Sequence, residues 1–336
     1  MTDDNQIVKE QAKILDDFLI RITDDGFSGT ILVSKNDDII LQKGYGYADV
    51  NQKREMSSDT LLSVGSISKQ FTATAIMKLI EKKLLTVNTT LDKLLDNVPD
   101  DKKTIYIYHL LTHTSGLPPM YKDDFDEIPK MEYLKGVFNL ELQSEPGKQF
   151  DYSNIGYSLL GIIIEKLTNK PYQDYMIEEI FYLAEMYKAG WFEDDRWSEH
   201  EVANYYVDGE HTGSILTWKG LCWPILGNGG VCTNVQEMFN WIQALKYNKI
   251  ISKKSLERIF TPFMEEYGFG WDVYKDDNMF TVYHNGGSTL GVSSFVEWDI
   301  RNDIIVIVLS NVILNGQWAA FLMEHGFKKL VYDNLK

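Results

Sequence analysis

The sequence predicts an α/β (α+β) fold: an antiparallel sheet flanked by N- and C-terminal helices, with a mostly helical domain inserted into it. Three observations predict this. Short apolar runs bounded by turns occur at 29–46 and again from about 266 to 311, whereas helical patterns dominate from about 75 to 250. Sheet-forming ends around a helical middle imply one discontinuous domain, residues 1–72 with 260–336, and a helical domain, 73–259. The pronounced loops of the middle segment then face a cleft between the two, where function is expected.

The elements follow in order. Ile7, Val8, Ile14, Leu15, Phe18, Leu19 and Ile22 predict an opening amphipathic helix over 7–22. SGTILVSKNDDIILQKGYGYAD reads as strands at 29–34 and 38–46 joined by the Asn36-Asp37-Asp38 turn. Residues 61–79, LLSVGSISKQFTATAIMKL, carry no charge from Gln70 to Met77. Phe71, Ala75, Ile76, Leu79 and Ile80 recur there at helical spacing, which predicts a buried helix with Ser63 and Gly65 as cap and loop residues. Another helix is expected at 154–170, NIGYSLLGIIIEKLTNK, between the loops LLTHTSGLPP, SEPGKQFDYSN and GNGGVCTN. EYGFGWDVY, MFTVYHNGG, GVSSFVEWD and DIIVIVLSN are four strand candidates. A last helix is expected to turn Trp318, Phe321, Leu322, Leu330 and Val331 inward.

Composition narrows the function. The 336 residues have 44% hydrophobic and 24% charged side chains, as in an ordinary globular protein with ample core. A formal charge of −16 argues against nucleic acid or an anionic membrane surface as partner. No apolar run is long enough for a transmembrane helix. The start, MTDDNQIVKEQ, lacks the basic and apolar regions of a secretory signal, so a cytoplasmic location is expected, with a leader outside this sequence left open. Cys222 and Cys232 are expected as two separate buried thiols rather than a disulfide framework.

Three constellations could carry chemistry. Ser66 and Lys69 share one face of a helix start, so a hydroxyl and a partly desolvated amine can meet beside a positive helix end. The bland reading is a capping serine followed by a solvated lysine. Tyr152 and Asn154 flank Ser153, with a phenol and a carboxamide on the same side of an extended segment. A phenol lowered by a nearby lysine could exchange protons, and the amide could orient Lys69 and hold a substrate carbonyl. In Tyr332-Asp333-Asn334 the same spacing is ordinary helix. The third constellation is His284-Asn285-Gly286-Gly287 at a strand end, where Gly286 lets a substrate backbone lie close. The Gly287 and Ser66 N–H groups could form an oxyanion hole.

Together and in this order, Ser-x-x-Lys, Tyr-Ser-Asn and His-x-Gly resemble the serine β-lactamase and penicillin-binding protein superfamily. The Tyr-x-Asn form resembles its class C β-lactamase-like branch, with its DD-peptidase, D-aminopeptidase and esterase relatives. SGTILVSKNDDIILQKGYGYAD, LLTHTSGLP, EPGKQFDYSNIGYSLLG, GNGGVCTNVQEM, YGFGWDV and IIVIVLSN are similar to the same branch, so the likeness runs from about residue 12 onward. The resemblance implies a β-lactamase/transpeptidase-like fold and an active site in the cleft. It implies Ser66 as acylated nucleophile, Lys69 as proton acceptor, Tyr152 as general base and acid, and Asn154 as the amide orienting substrate. His284 and Gly286 fall in the third substrate-binding motif, with oxyanion donors at Ser66 and Gly287, and deacylation is left to Tyr152 and water.

The third motif departs from the Lys-Thr-Gly usual in true β-lactamases. A histidine with a pKa near 6.5 is largely neutral at pH 7, so efficient β-lactam hydrolysis is not expected. The substrate class is a small molecule or short peptide: a D-amino-acid peptide, an ester or a β-lactam. The alternative is a non-catalytic penicillin- or peptide-binding member of the fold. No cofactor or metal is implied. His109 and His113 have i, i+4 spacing, but no zincin glutamate follows the first. Trp191, Trp197, Tyr205, Tyr206, Trp218 and Trp223 either pack the helical domain or, one or two of them, line the acyl pocket. Gly227, Gly229 and Gly230 resemble no phosphate loop. Oligomeric state is not encoded in any motif.

Overall fold

The computed structural model describes residues 2–219, 222–277, 279–314 and 326–335. Trp318, Phe321 and Leu322 of the predicted last helix therefore lie outside the described residues. The main sheet has six strands: β1 (Gly29–Lys35), β2 (Asp38–Tyr45), β3 (Asp272–Lys275), β4 (Phe280–Gly287), β5 (Ser293–Asp299) and β6 (Ile304–Ser310). Their spatial order is β3-β4-β5-β6-β1-β2, and every neighbouring pair is antiparallel. The β1–β2 hairpin turns through Asn36 and Asp37, at φ 52° and 72°, a left-handed pair that these two residue types tolerate.

Sheet pleating explains why β6 reads as an unbroken apolar run. Ile31, Val33, Val306 and Val308 bury into one cluster with Leu15, Leu19, Phe327, Val331 and Leu335, under helices α1 (Thr2–Asp24) and α9 (Lys328–Leu335). Leu32, Ile305, Ile307 and Leu309 bury into the larger cluster on the other face. Both faces are covered, so alternation disappears. Each such side chain contributes roughly 1.5–3 kcal/mol of burial. On α1 the buried stripe runs through Val8, Ala12, Leu15, Leu19 and Ile22; Ile7 and Ile14, expected inward, are 54% and 37% exposed. They sit one position off a stripe that advances by fours and threes. Asp16 fixes the helix to β2 through Lys43 and the Tyr45 hydroxyl.

The larger cluster holds α2 (Ser68–Glu81), α3 (Ile107–Leu111), α4 (Lys130–Phe138), α5 (Asn154–Thr168), α6 (Tyr172–Met176), α7 (Val235–Lys246) and α8 (Lys253–Ile259). At the centre is α2, where Phe71 meets the rings of Phe181 and Trp241 edge-on at 5.2 and 4.7 Å. Helix α5 starts on Ser153, whose Oγ accepts the Gly156 N–H, and stops at Asn169 in the left-handed region. The middle segment also contains strands. Asn204–Val207 and Glu210–Ser214 form a hairpin, and Leu62–Ser63 and Gly190–Trp191 pair with Val231–Thr233.

Trp191, Trp197, Tyr205, Tyr206, Trp218 and Trp223 are all buried, so they pack this region. Cys222 and Cys232 are separate buried thiols. No described helix is long and apolar enough to cross a membrane.

Candidate active site

The turn that carries Ser66 differs from the expected helix start. Ser66 lies in a 3₁₀ turn, Gly65–Ile67, and α2 proper begins at Ser68. The Val64 carbonyl explains it: it accepts the Ile67 N–H three residues on, and also the Ser294 hydroxyl from β5. Gly65 stands at φ 52°. Ser63 does not cap the helix; its Oγ accepts the Gly65 N–H, while Tyr205 holds its backbone N–H. The Ser68 hydroxyl donates to the Gly65 carbonyl and accepts the Val231 N–H, tying the turn to the strand behind it.

Ser66 and Lys69 meet as their spacing predicts. Lys69 is wholly buried, with Nζ 2.9 Å from Ser66 Oγ and 3.0 Å from the Asn228 carbonyl oxygen. Burial pushes the amine down to about 7; the Asp124 carboxylate opposes that shift. An amine near 7 is substantially neutral, so its lone pair can accept the Ser66 proton. The Asn228 contact was not legible in the sequence, because a backbone carbonyl carries no residue-type signal. The GNGG loop containing it is nonetheless locked in place. Asn228 Nδ2 donates to Ser158 Oγ and the Pro224 carbonyl, and Thr72 Oγ1 donates to the Gly227 carbonyl.

Tyr152 places its ring 4.9 Å from Lys69 Nζ. A phenol lowered by the lysine was expected; instead its pKa is held well above the ordinary value. Burial is the main cause, and a hydrogen bond with Ser66 opposes it. The residue nonetheless keeps 37% of its surface exposed. A lysine that is itself near neutral offers little charge to stabilise a phenolate. Asn154 begins α5, and its Oδ1 is buried without a hydrogen-bond partner among the described residues. Lys69 is held by Asn228 rather than by this amide, leaving Oδ1 as an open acceptor.

His284 is 3% exposed. Its Nδ1 lies 2.6 Å from the Asn285 carbonyl, which makes that nitrogen the donor, and Nε2 accepts the Tyr267 hydroxyl at 3.2 Å. Burial, then the nearby Lys69, pushes its pKa down to about 3. The ring is neutral and engaged at both nitrogens. Gly286 and Gly287 abut the Ser66 turn: a Cβ on Gly286 would lie 2.2 Å from the Val64 carbonyl and 2.9 Å from the Ser66 nitrogen. A Cβ on Gly65 would lie 2.9 Å from the Gly287 nitrogen. We expect Gly286→Ala to cost about 1–3 kcal/mol, because the clash is with backbone. Urea unfolding checks this; an unperturbed variant would contradict the close approach.

His109 and His113 do not face a common ligand. Each uses Nδ1 to accept a backbone N–H, from Tyr106 and Ser153 respectively. Among the described residues, no group of three or more His, Cys, Asp or Glu is placed to hold a metal.

An antiparallel sheet with the terminal helices on one face and the other helices on the opposite face, and Ser66 in the 3₁₀ turn leading into the central one, is the β-lactamase/transpeptidase fold. A sequence model of the Beta-lactamase family matches residues 15–314, and the chain belongs to that family. It is 30% identical over 293 residues to the putative penicillin-binding protein PbpX of Bacillus subtilis, covering 87% of this chain and 72% of that one. Protein flp of Staphylococcus aureus is 29% identical over 313 residues; the match covers 88% of this chain but only 61% of flp. The D-amino acid amidase of Ochrobactrum anthropi superposes with a TM-score of 0.78 at 22% identity, over 99% of this chain and 98% of the amidase. At 22% identity the amidase likeness is one of fold.

Proposed function

We propose that the chain is a serine hydrolase of the class C β-lactamase-like branch, forming an acyl-enzyme at Ser66 on D-amino-acid peptides, amides or esters. One observation carries this reading: a fully buried lysine, lowered to about 7, lies 2.9 Å from the hydroxyl of a serine in the 3₁₀ turn that leads into α2. Ser66 Oγ attacks the acyl carbon while its proton passes to Lys69 Nζ. The Ser66 and Gly287 N–H groups receive the developing oxyanion, and one such donor is worth about 3 kcal/mol. The raised phenol of Tyr152 stays protonated in the resting site, so it acts as acid toward the leaving group, with Lys69 replenishing its proton. Water then attacks the ester as the same groups act in reverse, and Asn154 Oδ1 accepts a substrate N–H. His284 supports the preference against β-lactams: a neutral ring with both nitrogens engaged offers no cation to their carboxylate. The amidase superposition supports an amide substrate.

Intact-protein mass after mixing with a p-nitrophenyl acyl ester, and separately with a penicillin, tests the reading. We expect ester turnover through an adduct on Ser66, and at most a lasting penicilloyl adduct. Rapid penicillin hydrolysis would overturn the substrate preference. Silence toward both would favour the non-catalytic binder.

A further inference from the structure

We propose that His113 is the positioning residue for Tyr152, gripping the chain on both sides of the tyrosine while its ring supports the phenol. The proposal rests on the hydrolase reading above.

Three contacts converge on this residue. The His113 carbonyl accepts the Asp151 N–H at 2.8 Å, and its Nδ1 accepts the Ser153 N–H at 3.0 Å. Its ring lies 4.1 Å from the Tyr152 ring, tilted by 31°. Both immediate neighbours of Tyr152 are thus bonded to one side chain and its own backbone, and Tyr152 itself rests on the imidazole. The adjoining loop completes the seat: the Pro118 carbonyl accepts the Ser153 hydroxyl and the Pro119 carbonyl accepts the Asn154 N–H.

Residue type matters here. The contact to Ser153 needs an acceptor at the δ position, and the contact to Tyr152 needs a flat ring; histidine supplies both. The residue is 1% exposed, and burial, with Lys69 and His284 nearby, keeps it neutral, so Nδ1 remains an acceptor. The proton then sits on Nε2, which has no acceptor among the described residues. The backbone stands at φ 56°, in the left-handed region. A strained backbone and an unsatisfied buried donor in one residue are local costs of the kind that collect at functional sites.

The test uses His113→Phe and His113→Asn, each alone and with Tyr152→Phe. Phenylalanine keeps a ring and loses the acceptor. Asparagine places Oδ1 near the position of Nδ1 and tolerates positive φ, but loses the ring. Turnover of a p-nitrophenyl acyl ester and amide exchange at 151 and 153 are measured. We expect His113→Phe to lower kcat by roughly 10–100-fold with little change in KM, and to release the Ser153 amide. His113→Asn should restore that protection but recover kcat only in part, because the ring under the phenol is gone. In the Tyr152→Phe background neither substitution should cost more.

An equal loss in both backgrounds would make the role merely structural and overturn the proposal. So would full activity of Tyr152→Phe, or unchanged exchange at Ser153 in His113→Phe. If Ser66→Ala turns over ester normally, the hydrolase reading fails instead, while the exchange measurement still decides whether His113 holds the segment.

Discussion

Ser66→Ala is expected to abolish the acyl adduct and lower ester turnover by on the order of 10⁴–10⁶, leaving at most the contribution of binding and oxyanion donors. The fold should survive. Ser66 Oγ supports nothing in the core, and Lys69 keeps its bond to the Asn228 carbonyl. Intact mass and thermal unfolding, run on the same preparation, separate the two effects. A variant that turns over ester at the wild-type rate would remove Ser66 from the chemistry.

Lys69→Met should cost about 10²–10⁴ in kcat, the usual worth of a positioned base. For the wild type, acylation should fall about tenfold per pH unit below the lysine pKa of about 7 and level off above it. Asp272, raised to about 6 by burial and close to Tyr152, titrates in the same range, so Asp272→Asn is the control. The limb near 7 should persist in that variant and vanish in Lys69→Met.

In Lys69→Met, stability should move oppositely to activity. The folded pKa lies below the unfolded one, so between about 7 and 10.5 the unfolded chain binds more protons, and wild-type stability declines as pH falls across that window. The buried amine therefore costs at most roughly 5 kcal/mol at neutral pH. Lys69→Met should melt higher than wild type at pH 7, with the gap narrowing toward pH 10. An unchanged melting temperature at pH 7 would mean that the lysine is solvated.

Much of this was legible in the sequence. The hairpin, the four C-terminal strands and α5 came from periodicity, and the Ser66–Lys69 contact from helical spacing. What stayed hidden has physical reasons. The turn at Ser66 is set by the Val64 carbonyl serving β5 as well as the turn, a tertiary fact. Asn228 acts through its backbone. The Tyr152 phenol moved opposite to expectation because desolvation outweighs a lysine that has lost much of its own charge. His113 was visible as part of the LLTHTSGLP loop and as half of a metal spacing, but its role was not, since its bonds to Asp151 and Ser153 go to main-chain atoms far along the chain.

The antiparallel match of Gly29 with Ser310 and Lys35 with Ile304 places β1 inside the sheet, between β2 and β6. On a ribosome, β1 and the Ser66 turn emerge long before β6 and before Gly287, which borders the proposed oxyanion hole. Every nascent chain short of Ser310 lacks the strand that completes β1. Long-range closure of this kind slows folding and leaves an open strand edge exposed while synthesis continues. Acylating power should therefore appear abruptly once β4 and β6 have emerged, and a fluorescent acylating probe should label no ribosome-bound fragment that stops before residue 287.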